Sequence, residues 1–307
     1  MFRNCFLFFA VSVLLASCMQ TGIEENSVNV LDGSDGKPPV LLSVKTESSN
    51  VVRLEFNEPV APYGNSFDAC DVHQDGCDIV LSLKQNLKAG KCCRISGRVC
   101  DLQGNSCNVS VNVWGRNENP AGLVINEFTT KGTAKNPDRT ELKVVSDGNI
   151  AGFAMYDGIP GNYRSMVVFD DTDVCKGDFI VVWWTTSASD GTLYSGPRAV
   201  DVCAGSETGL SENNGIITLS DSPSEGANVI DCLAYSNGES SQYGGFGTKE
   251  VQTRIETAKE NKWLTADIVS PVNSTATRSV SRKADGTWYV TVTGGSTFGY
   301  ENTSDAY

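Results

Sequence analysis

The sequence predicts an all-β protein of two β-sandwiches in tandem, and three observations carry that expectation. Apolar residues recur at every second position in many short runs; Gly, Asn and Pro turns separate the runs; and 307 residues is the length of roughly two domains. Composition bounds the rest. With 24 Lys+Arg against 37 Asp+Glu the formal charge is −13. So acidic a balance argues against a protein that neutralises nucleic-acid phosphates, and no nucleic-acid partner is expected. An apolar content of 40 % is too high for a wholly disordered chain. One histidine leaves almost no material for a His metal triad or a Ser-His-Asp site.

The first element is an address. Met1-Phe2-Arg3-Asn4 is a short basic start, followed by an apolar run from Cys5 to Leu15 that only Ser12 interrupts. The run is too short to span a bilayer and matches a signal-peptide core. It ends in Leu15-Ala16-Ser17-Cys18, which resembles the bacterial lipobox, in which the cysteine is acylated and becomes the new N-terminus. That resemblance implies a signal over 1–17, three acyl chains on Cys18 and a membrane as the first partner. The other reading is an ordinary secreted protein cut after Ala16 or Ser17. Without residues 1–17 the chain keeps 23 basic and 37 acidic side chains, net −14. Residues 18–37 carry Gly, Ser, Asn, Glu and Asp without periodicity and read as a tether.

At Pro38-Pro39 the composition changes. Val40–Lys45 and Val51–Phe56 show apolar residues at every second position, with Val52, Leu54 and Phe56 on one face. Cys107–Val113 alternates strictly, and Asp101-Leu102-Gln103-Gly104-Asn105 is a turn between two strands. Phe56-Asn57-Glu58-Pro59-Val60 and Gly97-Arg98-Val99-Cys100-Asp101-Leu102-Gln103-Gly104-Asn105 resemble bacterial Ig-like modules over 38–116. The resemblance implies a fold and almost nothing about function.

A second unit begins at Pro120. Leu123–Phe128, Thr140–Val145, Ile150–Tyr156, Gly177–Trp183, Leu210–Asp221 and Val229–Tyr235 follow in that order. Near the end come Ser279-Val280-Ser281-Arg282, Trp288 and Ser296-Thr297-Phe298-Gly299-Tyr300-Glu301-Asn302. In this order they resemble a lamin-tail domain over 121–302, with 303–307 as a tail. The resemblance implies a second immunoglobulin-like sandwich and carries over no binding site. Phe298 stands where that family usually has Pro. Glu250–Ala266 departs from the β rhythm, with Ile255, Ala258, Trp263 and Leu264 at helical spacing. A surface helix packing Trp263 inward is expected there, with a partner-docking helix as the alternative.

Chemistry is sparse. His73 lies among Asp71, Asp75 and Asp78 between two cysteines, but the order is not that of a calcium loop; Asp170-Asp171-Thr172-Asp173 likewise reads as a surface loop first and a divalent site second. No metal or other cofactor is expected. No G-x-S-x-G, H-E-x-x-H, Walker or G-x-G-x-x-G pattern occurs. Export would oxidise cysteines where geometry allows. The candidate disulfides are Cys70 with Cys77 and Cys100 with Cys107, each pair flanking a loop, and Cys175 with Cys203; Cys93 and Cys232 read as buried thiols. From Ile79 to Cys100 there is no acid, while Lys84, Lys88, Lys91, Arg94 and Arg98 form a candidate basic patch for anionic headgroups or an acidic partner. A solvated strand face explains the same residues.

The expectation that follows is an exported, lipid-anchored envelope protein, not an enzyme, that presents sandwich modules for protein or surface binding. Met19 after the lipid-bearing cysteine, rather than Asp, favours the outer membrane by family-level analogy. The alternative is an accessory or catalytic module acting on glycan or phosphoester polymers of the envelope.

Overall fold

A computed structural model describes residues 36–68, 70–185, 193–224 and 226–307. The expected signal, Cys18 and the tether up to residue 35 lie outside the described residues. The architecture is all-β and of sandwich type, with one α-helix among the described residues. The chain divides into two compact units. One takes in Arg53–Lys84, Ile95–Val111 and the described residues up to Ser43; the other takes in Val44–Val52, Gln85–Arg94 and Asn112–Tyr307.

The N-terminal strands form two sheets. β1 (Leu41–Ser48), β2 (Val51–Phe56), β4 (Cys70–Asp75) and β5 (Asp78–Leu83) pair in the order β1-β2-β5-β4. β3 (Ala61–Pro62), β6 (Cys92–Cys100) and β7 (Ser106–Trp114) form the second sheet. Alternation sets the core: Val52, Leu54 and Phe56 of β2, Ile79 and Leu81 of β5, Ile95 and Val99 of β6, and Val109 and Val113 of β7 all point inward and are buried. The edge strand β1 is looser, and Leu42 stays exposed. The β6–β7 turn forms as the sequence predicts. The Asp101 carboxylate accepts the Gln103 and Asn105 N–H groups at 2.9 and 2.8 Å, and Gly104 takes φ +88°.

The C-terminal strands build a larger pair of sheets. Strands β8 (Gly122–Thr129), β9 (Arg139–Ser146), β14 (Phe179–Trp183), β15 (Ala199–Cys203), β18 (Val280–Arg282) and β19 (Trp288–Val290) form one sheet in the order β15-β14-β9-β8-β18-β19. Strands β11 (Ala154–Ile159), β12 (Asn162–Val168), β16 (Asn214–Ser220) and β17 (Val229–Ser236) form the other, ordered β12-β11-β16-β17. A short β10 (Gly148–Asn149) pairs with β13 (Asp173–Val174). Ile125, Leu142, Ile180 and Val182 of the first sheet meet Met155, Ile217, Leu219 and Leu233 of the second in one core. β14 and β15 run parallel, a pairing the sequence does not announce.

The helical segment is confirmed and shortened. α1 spans Lys249–Glu260 rather than 250–266. Thr248 caps it by accepting the Val251 N–H, and Glu250 to Arg254 and Gln252 to Glu256 bond at i,i+4 spacing. Asn261 ends it, and Lys262 turns the chain at φ +58°. Ile255 and Ala258 pack on Ile159, Ile216, Cys232 and Ala234, covering one face of the four-stranded sheet, with Trp263 half-buried against the same cluster.

Candidate functional site

The most unusual chemistry lies on the other face of the six-stranded sheet. Glu127 of β8 and Glu141 of β9 are register partners across the antiparallel pair, and both are fully buried. Like charges facing each other across a sheet repel, and burial raises the cost. The closing segment 296–302 answers that cost. The Thr297 N–H and hydroxyl donate to the two Glu127 oxygens at 2.8 and 2.7 Å. Glu141 accepts the Asn126 amide at 2.7 Å and the Gly299 N–H at 2.5 Å. Burial nevertheless raises both carboxyls above the ordinary range, Glu141 strongly because Glu127 adds its own charge. Asn302 completes the clasp, donating to the Arg282 and Asn126 carbonyls at 2.8 and 3.3 Å.

Phe298, where the resembled family has Pro, is buried with its ring centroid 4.0 Å from the Arg139 guanidinium. The same guanidinium also lies over the Trp183 ring, 4.8 Å from its centroid. Arg139 Nε is buried without a hydrogen bond among the described residues, and burial lowers the Arg139 pKa against the pull of Glu127 and Glu141. Gly299 sits at φ +84° against the Ser195 carbonyl, where a Cβ has no room.

Two further buried carboxylates do structural tasks. Asp231 of β17 accepts the Ile125 N–H at 2.8 Å and the Arg282 guanidinium at 3.0 Å, tying the four-stranded sheet to β8 and β18. Asp138 accepts the Gly132 N–H at 2.6 Å, and burial pushes its carboxyl up to about 6.

Beside the clasp lies a groove of about 830 Å³. Val124 and Val145 floor it, the β18–β19 hairpin tip at Lys283–Gly286 forms one wall, and Glu301–Ser304 forms the other. Lys143 Nζ reaches Glu301 at 2.5 Å, and Lys283 Nζ lies 5.5 Å from the Tyr289 ring centroid. Sequence reasoning assigned none of these residues to a site. The available signal was the outward alternation of Glu141, Lys143 and Val145 on β9, which places polar side chains on a face that the loop partly covers.

The structure corrects the disulfide expectation: no bridge joins the nine described cysteines. Cys70 and Cys77 do not flank a loop, because β4 carries the chain about 17 Å from Cys70 to Asp75, well beyond the roughly 7 Å limit for a bridge. In the β6–β7 hairpin the Asp101 N–H bonds to the Asn105 carbonyl, and the Ser96 and Ser110 hydroxyls face each other at 3.4 Å. That register sets Cys100 opposite Ser106 and Cys107 opposite Val99, so the two sulfurs leave opposite faces. Cys203 pairs with Trp183 at one end of β14, whereas Cys175 precedes its other end, about 13 Å away along the strand. Burial raises the Cys92, Cys93 and Cys107 thiols and pushes Cys232 up to about 12.

All five residues of the basic patch are exposed. Lys84 and Arg98 belong to one compact unit, and Lys88, Lys91 and Arg94 to the other. Arg98 lies over Tyr63 at 4.6 Å and donates to Ser106, and Lys91 pairs with Asp170 at 2.9 Å. His73 is exposed opposite Val80, with Asp75 and Asp78 nearby meeting Arg53 at 3.5 and 2.7 Å. Asp171 and Asp173 both accept the Asn149 side-chain amide at 2.8 Å.

A family model described as a protein second domain matches residues 121–302. No curated protein sequence matches the chain.

Proposed function

The chain belongs to the family of that second domain, and from this premise we propose that it is a lipid-anchored envelope protein whose sandwich modules make contacts without turning over substrate. In this reading Cys18 carries the acyl chains, the outer membrane is the site, the N-terminal sheets are a bacterial Ig-like module, and residues 121–302 are a lamin-tail-like sandwich. The carrying observation is Leu15-Ala16-Ser17-Cys18 at the end of an uncharged apolar core.

The carboxylates support the non-catalytic part. A general acid or nucleophile must reach its substrate. Glu127 and Glu141 are fully buried and each already accepts two hydrogen bonds from neighbouring chain, while Asp231 is committed to Arg282 and the Ile125 N–H. Their work is to hold strands and loop together.

The test is mass spectrometry of the native N-terminus with fractionation of a Cys18→Ala variant. Triacylated Cys18, and release of the variant from membranes, are expected. An unmodified N-terminus at any other residue overturns the anchoring.

A further inference from the structure

We propose that Glu127 is held as a neutral carboxylic acid whose proton latches the closing segment 296–302 to the six-stranded sheet, and that the segment loosens when this proton is lost. The latch is independent of the anchoring and contact reading above.

The charge balance calls for one neutral acid. Glu127 and Glu141 are register partners with no exposure to solvent. Arg139 is the cation that acts on both, and Asp201 of β15 draws on the same guanidinium. Lys143 is paired with Glu301, which sets a further negative charge near Glu141. Tyr289 of β19 interacts with Glu127, while Ser279, just before β18, brings it only a hydroxyl. One guanidinium against two buried acids leaves one of them uncompensated, and a buried uncompensated carboxylate takes up a proton.

The hydrogen bonds decide which acid holds it. Both oxygens of Glu141 meet groups that can only donate: Oε1 accepts the Asn126 amide at 2.7 Å and Oε2 the Gly299 N–H at 2.5 Å. Asn126 cannot turn round, because its NH2 also donates to Asn302 Oδ1 at 3.0 Å and its own oxygen accepts the Asn302 NH2 at 3.3 Å. A proton on Glu141 finds no acceptor among these partners. On Glu127 it does. Oε1 accepts the Thr297 N–H at 2.8 Å, but Oε2 meets the Thr297 hydroxyl at 2.7 Å, and a hydroxyl accepts as well as donates. That hydroxyl has a second acceptor in Asn302 Oδ1 at 3.2 Å. With Glu127 protonated, Oε2–H donates to Thr297 Oγ1 and Thr297 in turn donates to Asn302. Loss of the proton to bulk water turns the Thr297 hydroxyl back toward Glu127, breaks its link to Asn302 and leaves two negative charges facing each other.

The sign of the pH dependence follows. Burial raises both acids in the closed form, and an open segment would hydrate them and return them to ordinary acidity. The closed form therefore binds the extra proton. Closure is fully favoured below the ordinary carboxylate range and is lost as pH rises through the raised value.

Hydrogen–deuterium exchange of the intact protein reads the latch, with β14 as the internal reference. Protection of 296–302, corrected for intrinsic exchange, should fall about tenfold per pH unit once Glu127 ionises, the slope of one proton, while β14 keeps its protection. Glu127→Gln retains an acceptor for the Thr297 N–H and a donor for its hydroxyl, so protection should stay at the low-pH level throughout. Glu141→Gln sets an amide N–H against another donor and should lose about tenfold at every pH. A carboxylic-acid infrared band that survives Asp138→Asn and vanishes in Glu127→Gln is expected at neutral pH. A flat pH profile in the native protein, parallel loss of protection in β14, absence of that band, or loss of protection in Glu127→Gln but not in Glu141→Gln would overturn the proposal. The native profile and the band decide it even where a variant fails to fold.

Discussion

The N-terminal sheets and the C-terminal sheets are both built from alternating strands, yet they spend charge in opposite ways. In the N-terminal sheets charged groups stay outside, save Asp101, which is buried within its own β6–β7 turn. Arg53 meets Asp78 at 2.7 Å with both side chains partly exposed, and the core of β2, β5, β6 and β7 is aliphatic and aromatic. In the C-terminal sheets Glu127, Glu141 and Asp231 are buried and bonded to distant segments, and Asp157 is buried against Arg164 of the next strand. The first arrangement needs only correct alternation. The second ties remote parts of the chain together by hydrogen bonds that no other register can satisfy, which favours one structure at a cost in tolerance to change.

The sharpest way to break the comparison is to remove one arginine from each. Arg282→Ala strands Asp231 inside the protein and should cost about 3 kcal/mol or more in chemical denaturation. Arg53→Ala removes screened contacts to Asp75 and Asp78 and should cost at most about 1 kcal/mol. Equal costs would erase the distinction. Next in size is Gly299→Ala, expected to lose about 1–3 kcal/mol because φ +84° and the Ser195 carbonyl both disfavour a Cβ. The same change at Gly104, where φ is +88° but the space is open, should cost less.

The pH dependence separates the regions further. Glu127, Glu141 and Asp138, the last at about 6, have folded pKa values raised by burial. Their contribution to stability is fully present below the ordinary carboxylate pKa and is lost as pH rises through the folded value. The C-terminal melting transition should therefore rise by several degrees between pH 8 and pH 5, and Asp138→Asn should flatten that slope. An N-terminal transition showing the same slope would refute the assignment to these groups. The smallest effect is expected from Cys100→Ser with Cys107→Ser. Without a bridge the double change should cost under about 1 kcal/mol, against roughly 2–5 for a lost disulfide, and thiol titration after denaturation should report all nine described cysteines reduced.

What was legible follows the same divide. Val52, Leu54 and Phe56, and Val109 and Val113, are found inside as their period-two spacing predicts, because burial of a half-exposed sheet is a local property of the strand. The Asp101–Asn105 turn and α1 were readable for the same reason. The loop reading of Cys70–Cys77 failed because a polar hairpin strand, Cys70–Asp75, has no apolar alternation to betray it. β15 was missed because its partner β14 lies across a long connection and pairs in parallel. The groove escaped because it exists only once Glu301–Ser304 returns to the face of β8 and β9. The motifs around Glu127 and Glu141 were visible, but not that two acids would share one dry site.

The clasp joins residues 170 positions apart, since Thr297 is the group that satisfies Glu127. Until residues 296–302 are in place, β8 and β9 bring together two acids that lack the Thr297 and Gly299 donors. Closure of this sheet therefore waits for residues 296–302, and a chain cut before residue 296 is expected to stay open to proteases. An early strand pair is thereby made conditional on a late segment.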